Sequence, residues 1–186
     1  MLRKFLLYLC LATLTQCSKC KNDPTPDPPK DPLTLLPPET KTGARTFGCL
    51  VNGKAYVAPF TTSANGDWQS TTKLAIGSTT RLNGEAGGEM STILIALNGA
   101  LQSNQTFAII SSATPFPIFT PGVNQFYSHV AALPCVYDGD YFTTGKVELV
   151  KFDPVARIAA GRFAFTLYKP GCDSVRVTNG RFDVKF

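Results

Sequence analysis

The dipeptide Asn-Gly occurs five times, at Asn52-Gly53, Asn65-Gly66, Asn83-Gly84, Asn98-Gly99 and Asn179-Gly180. Around most of these sites apolar and polar residues alternate. Asn-Gly favours the type I′ turn, because both central residues of that turn need positive φ. Period-2 alternation broken by such turns specifies short antiparallel strands and leaves little room for helices. The C-terminal stretch Val175–Phe186 reads as a hairpin about Asn179-Gly180. It would pair Val177 with Phe182 and Val175 with Val184 on one face, and Arg176 with Asp183 as an ion pair on the other. A second hairpin is expected from Thr46–Val51 and Lys54–Val57 about Asn52-Gly53, with Cys49 facing Tyr56. Further strands are expected at Thr72–Thr80, Thr92–Asn98, Thr106–Ser111, Lys146–Phe152 and Arg157–Tyr168. Gln125–Leu133 is the one stretch that could hold a helical turn or two. The expected fold is all-β, an antiparallel β-sandwich or flattened barrel of about eight to ten strands, with the sandwich preferred. It forms a single domain over residues 43–186, long enough to bury about two thirds of its unfolded surface.

The chain before this domain has a different character. Met1-Leu2-Arg3-Lys4 is basic, and Phe5–Leu14 is a mostly apolar run, far short of the about 20 residues that span a membrane. This is the pattern of a secretory signal peptide over residues 1–16. Leu14-Thr15-Gln16-Cys17 follows and resembles a bacterial lipobox, with Cys17 as the lipidated first residue of the mature chain; Gln16 departs from the usual small residue. Several acyl chains on one sulfur would hold a protein stably at a membrane. Residues 17–42 read as a linker, because seven of the fourteen prolines lie between Lys21 and Pro38 and proline at that density opposes helix and central strand. In polyproline II form the linker would reach roughly 60–80 Å. The formal net charge of +5 falls to +3 once Arg3 and Lys4 leave, since 16 basic residues then face 13 acidic ones. Such a balance does not point to nucleic acid. Ser18-Lys19-Cys20-Lys21, directly after the lipobox, is basic.

TFGCLVNGKAY near the domain start and FAFTLYKPGCDSVRVTNGRFDVKF at its end resemble a family of small, uncharacterised Bacteroidetes secreted lipoproteins. These share the lipobox, the Pro- or polar-rich spacer, the opening Val-Asn-Gly-Lys hairpin and the closing Asn-Gly-Arg-Phe-Asp hairpin. The resemblance implies secretion, lipid anchoring in the cell envelope and an all-β domain, and carries over no activity and no site residue. Since that family can carry an acidic surface-export signal after the lipidated Cys, the basic Ser18-Lys19-Cys20-Lys21 favours the periplasmic side of the outer membrane over the cell surface.

Six cysteines are encoded. Cys10 would leave with the signal peptide and Cys17 would take the lipid. In an oxidising compartment the remaining thiols are expected to pair. Cys20 sits in the linker. Among the others the preferred disulfide is Cys135–Cys172, in the loop contexts Leu-Pro-Cys and Pro-Gly-Cys, with Cys49–Cys172 as the alternative. No metal site or cofactor is expected, because the domain has no CxxC pair and the lone histidine is His129.

Candidates for chemistry are sparse. His129 lacks a signature that would position a partner, and no nucleophile elbow is present. Asp138-Gly139-Asp140 lacks the downstream Glu of a calcium loop. Glu85 and Glu89 lie in a glycine-rich loop that ill suits a catalytic carboxylate pair. The most suggestive stretch is Pro115–Gly122. Phe116 and Phe119 on that stiffened loop are expected first to cap one open end of the sandwich; the alternative is that, with Tyr137 and Tyr141 nearby, they form a binding surface for a sugar ring or an apolar partner group. The expected function is therefore a membrane-anchored envelope lipoprotein with a β-rich binding or scaffolding domain, its partner a glycan or an envelope protein. The alternative is a small carbohydrate-active or other hydrolytic enzyme.

Overall fold

The computed structural model describes residues 30–58, 64–70, 73–81, 90–110, 122–129, 135–137 and 143–186. They form β1 (Thr46–Val51), β2 (Lys54–Val57), β3 (Asn65–Ser70), β4 (Lys73–Arg81), β5 (Met90–Asn98), β6 (Gln105–Ile110), β7 (Gly122–His129), β8 (Val136–Tyr137), β9 (Thr143–Asp153), β10 (Ile158–Leu167) and β11 (Val175–Lys185). A six-stranded sheet runs β2-β1-β11-β10-β9-β6, and a five-stranded sheet runs β3-β4-β5-β7-β8. All the strand pairs are antiparallel. The fold is all-β, two stacked sheets with open edges rather than a closed barrel. Gln125–Leu133 does not begin a helix: its first five residues belong to β7, which pairs with β5 from Ser91↔His129 to Asn98↔Gly122.

The core lies between the sheets. Phe47, Cys49, Val51, Tyr56, Val147, Leu149, Phe163, Phe165, Leu167, Val177, Phe182 and Val184 from the large sheet meet Leu74, Ile76, Ile93, Ile95 and Leu97 from the small one. Each alternates with an outward residue, as a half-buried strand requires. Tyr56 ties the two layers. Its hydroxyl donates to the Ser78 carbonyl at 2.5 Å and lies 3.2 Å from that of Ser91, so the one polar atom of a fully buried ring is satisfied. A disulfide joins Cys135 and Cys172 across 37 positions of sequence, linking the segment before β8 to the β10–β11 turn. Cys49 is instead a free thiol packed in the core, so the Cys49–Cys172 pairing is absent. Burial pushes the Cys49 thiol far above its ordinary value, which removes it from thiolate chemistry.

The first hairpin has the expected form. Asn52 and Gly53 take φ of +48° and +80°, and Cys49 pairs with Tyr56. The last Asn-Gly does not form a hairpin. β11 runs unbroken through it, flanked by β1 on one side and β10 on the other. Phe163 pairs with Gly180 and Phe165 with Val177, so β11 carries one residue more than β10 here, a β-bulge. Asn179 takes the left-handed conformation at φ +54° while Gly180 does not, so the positive-φ pair of a type I′ turn is missing. The bulge solves the same problem the hairpin would have solved. Val175 and Val177 are odd-numbered and Phe182 and Val184 even-numbered, and one extra residue puts all four on the buried face. Arg176 and Asp183 do not meet. Arg176 pairs with Thr166, and Asp183 with Ala160 and Thr46.

Residues 31–42, read from the sequence as linker, lie against the outer face of the large sheet and belong to the same compact unit as the strands. Asp31 caps a 3-10 turn at Pro32–Leu35, accepting from the Leu33 N–H, and Leu36 is buried. Pro37 sits over Gly48, where a Cβ would come within 2.5 Å of the proline ring. Proline density thus does not forbid docking here, because an outer strap needs no ladder hydrogen bonds.

Candidate functional site

The outer face of the six-stranded sheet carries an open groove of about 260 Å³, lined by Glu39, Lys146, Glu148, Arg162, Ala164, Asn179, Gly180 and Arg181, with Phe163 at its floor. Sequence and register build it directly. Arg162 pairs with Arg181 on one side and with Glu148 on the other, so three charged residues stand in one row across β11, β10 and β9. One step along, Ala164 pairs with Lys146, and the bulge at Asn179 displaces β11. The small side chain of Ala164 leaves the space between these charges empty. Gly180 cannot be larger, since a Cβ there would lie 2.4 Å from the Phe163 ring and 2.5 Å from its carbonyl oxygen.

The strap closes one end of this groove. The Glu39 carboxylate receives Arg162 in a fork, with Nε 2.9 Å from both oxygens and Nη2 2.6 Å from Oε2. Glu148 lies 2.6 Å from Lys146 Nζ and 3.9 Å from Arg162 Nη1. The hydrogen bond from Arg162 holds Glu39 below the usual carboxylate range, and that from Lys146 does the same for Glu148. Arg162 is held correspondingly higher by its hydrogen bond to Glu39. Both carboxylates are thereby kept ionised, the opposite of what a general acid needs. Arg181 donates Nη1 to the Pro37 carbonyl at 3.1 Å, while its Nε is buried with no hydrogen-bond partner.

The strap's second anchor is Asp183, 1% exposed on the same outer face. Its carboxylate accepts from Thr40 Oγ1 at 2.6 Å and from the backbone N–H groups of Thr42, Gly43 and Ala44 at 2.9, 2.7 and 3.1 Å. Burial alone would raise its pKa, but these four donors outweigh burial and hold the group below its ordinary value.

The sequence-derived binding surface is not assembled as expected. Phe116, Phe119 and Tyr141 lie outside the described residues. Tyr137 is 3% exposed rather than on a surface loop, and its hydroxyl donates to the Asp173 carbonyl beside the disulfide. The ring therefore serves the fold, because a tyrosine that buries its body must also satisfy its hydroxyl. Burial first and the Asp173 charge second raise its pKa. His129 ends β7 opposite Ser91. Cys17, Cys20, Glu85, Glu89 and Asp138–Asp140 lie outside the described residues. Among the described residues no group of His, Cys, Asp and Glu is placed to hold a metal ion, and no helix is long and apolar enough to cross a membrane.

Sequence reasoning missed Arg162, Arg181, Lys146 and Asn179. Alternation marked Arg162 as outward, but its neighbours come from segments whose pairing a hairpin reading of β11 had misassigned. No family model, curated protein or solved structure matches the chain.

Proposed function

We propose that this chain is a membrane-anchored lipoprotein of the cell envelope, and that its β-sandwich binds an envelope component in the groove on the outer face of the six-stranded sheet. The observation that carries the binding reading is the bulge at Asn179. It holds a non-glycine residue at φ +54° and opens a polar groove between neighbouring strands. Bulges recur where a strand must re-aim side chains beside a site. The enzyme alternative is weaker, because Glu39 and Glu148 are both held ionised by cations and, among the described residues, no Ser, Cys or His lines the groove. The anchoring reading rests on the basic start, the short apolar run and Leu14-Thr15-Gln16-Cys17, together with the resemblance to secreted Bacteroidetes lipoproteins. The basic residues after Cys17 support attachment to the outer membrane facing the periplasm.

Two variants test the two halves. Cys17→Ser should abolish incorporation of radiolabelled palmitate and move the protein to the soluble fraction; unchanged membrane fractionation contradicts the anchor. Ala164→Trp fills the groove without altering charge. It should eliminate photo-crosslinks to envelope components that persist with Val155→Ser, at the exposed tip of the β9–β10 hairpin. Equal crosslinking by both variants removes the groove as the ligand face.

A further inference from the structure

Two arginines stand directly opposite each other in the sheet, Arg162 on β10 and Arg181 on β11. Like charges so placed repel unless an anion lies between them. Glu39 supplies that anion, but it is hydrogen-bonded to Arg162 and reaches Arg181 only through its charge, while Glu148 lies 3.9 Å from Arg162 on the other side. Arg181 receives only the Pro37 carbonyl, and its Nε is covered by protein yet has no acceptor. A guanidinium is a planar fork of donors that matches a carboxylate in two-point contact. The Glu39 contact shows that geometry already in place at one member of the pair, at 2.6–2.9 Å.

We propose that Arg162 and Arg181 form a carboxylate-binding pincer, and that Glu39 is a stand-in for the ligand, delivered by the strap and displaced when an external carboxylate enters the groove. The proposal rests on the reading of the groove as a ligand face. Lys146 adds a further cation, hydrogen-bonded to Glu148 at 2.6 Å, and Ala164 leaves room for the body of the ligand. About 260 Å³ falls just below the range of drug-sized pockets, about 300–1,000 Å³, so the site takes one acidic ring or side chain rather than an extended chain. The carboxylate could come from a uronic-acid sugar or from an acidic peptide; the shared chemistry is the carboxylate.

The test is calorimetric titration of the full chain with trigalacturonate, triglutamate and neutral maltotriose. Wild type should bind at least one of the acids, and Glu39→Gln should bind it about 10-fold tighter, because the internal competitor is gone. Arg162→Gln and Arg181→Gln, each in the Glu39→Gln background, should cut that affinity at least 10-fold. Arg162 is exposed, so its variant stays folded if the Arg181 variant does not. Binding of trigalacturonate alone, triglutamate alone or both supports the pincer and identifies the source. The pincer is overturned if Glu39→Gln binds neither acid better than wild type, if Arg162→Gln retains the gain, or if maltotriose binds equally well. Should the acids fail while Ala164→Trp still eliminates envelope crosslinks, the pincer falls and the groove stands. Should both fail, the groove reading falls with it.

Discussion

Replacing Asp183 by alanine tests how the strap is held. Four donors converge on one carboxylate that is 1% exposed, three of them consecutive backbone N–H groups. A hydrogen bond to a charged group contributes about 1.5–3 kcal/mol, and a donor left buried without a partner costs about 1–3 kcal/mol. Simple addition would exceed 6 kcal/mol, but it overstates the loss. The strap lies on the surface, so its N–H groups can reach water once it peels away. The cost is then capped by what the strap contributes: the buried Leu36, Pro37 over Gly48, and the half-exposed, solvent-screened Glu39–Arg162 pair. We expect Asp183→Ala to lose about 2–4 kcal/mol in urea unfolding. Amide exchange at Thr42, Gly43 and Ala44 should rise steeply, while β9 and β10 amides keep their rank. Asp183→Asn should also lose protection at these amides, because its amide group turns donors toward donors. Wild-type stability within about 0.5 kcal/mol together with unchanged protection at these three amides would refute the clamp.

The same group sets an acid response. Its folded pKa is depressed, so its contribution is fully present above the unfolded value, 3.8, and disappears as pH falls through the lower folded value. Protection at residues 42–44, measured against the intrinsic exchange rate at each pH, should therefore fall in acid below about pH 4 in wild type. In Asp183→Ala that acid dependence should be largely gone.

Gly161→Ala should destabilise by about 2–4 kcal/mol in chemical denaturation, because a Cβ there would lie 2.0 Å from the Glu148 carbonyl oxygen and 2.7 Å from the Phe182 ring; a neutral result contradicts the β9–β10 register. Replacing Cys135 and Cys172 by serine together should lower stability by about 3–4 kcal/mol on the chain-entropy account of a 37-residue separation, and wild type in strong reductant should match the double variant. Tyr56→Phe should cost about 1–2 kcal/mol, since the Ser78 and Ser91 carbonyls lose a buried donor, and thermal unfolding that does not shift would show those carbonyls satisfied otherwise.

Fold class was legible because it rests on parity. Apolar residues two apart along Thr46–Val51, Lys146–Phe152 and Arg157–Tyr168 point inward in the structure as alternation requires. What parity cannot reveal is how a break in it is resolved. Val177 and Phe182 have opposite parity, and a two-residue turn or a one-residue bulge both bring them to one face. Asn-Gly serves either, since asparagine tolerates the left-handed region alone. The four dipeptides among the described residues give one type I′ turn, at Asn52-Gly53, and one bulge, and Asn83-Gly84 lies outside the described residues. Asn65-Gly66 opens β3 and Asn98 closes β5. The choice at Asn179 depends on β1, more than 120 residues earlier, which takes the free edge of β11 and makes a through-going strand the better hydrogen-bonded arrangement. The groove was hidden for the same reason, because a hairpin would not have set Arg181 beside Arg162. The strap was hidden by composition: prolines say what backbone cannot form, but not which surface accepts it.

The two anchors of the strap differ in kind, and the difference matters for the site. Asp183 grips the chain at Thr40–Ala44 through three backbone donors and one hydroxyl, so that part cannot leave without exposing a buried charge. Glu39 is held only through its side chain, which is 45% exposed and ends on a flexible stem. A rotation about Glu39 side-chain bonds therefore vacates Arg162 while the Asp183 clamp stays closed. Opening the groove then breaks only one half-exposed ion pair, which an incoming carboxylate on Arg162 replaces. Loss of Asp183 frees the whole strap, so its variant should weaken Glu39's occupancy as well, whereas Glu39→Gln should leave the amides of residues 42–44 protected. That asymmetry separates an attachment from a plug, although both lie within six residues of one strap.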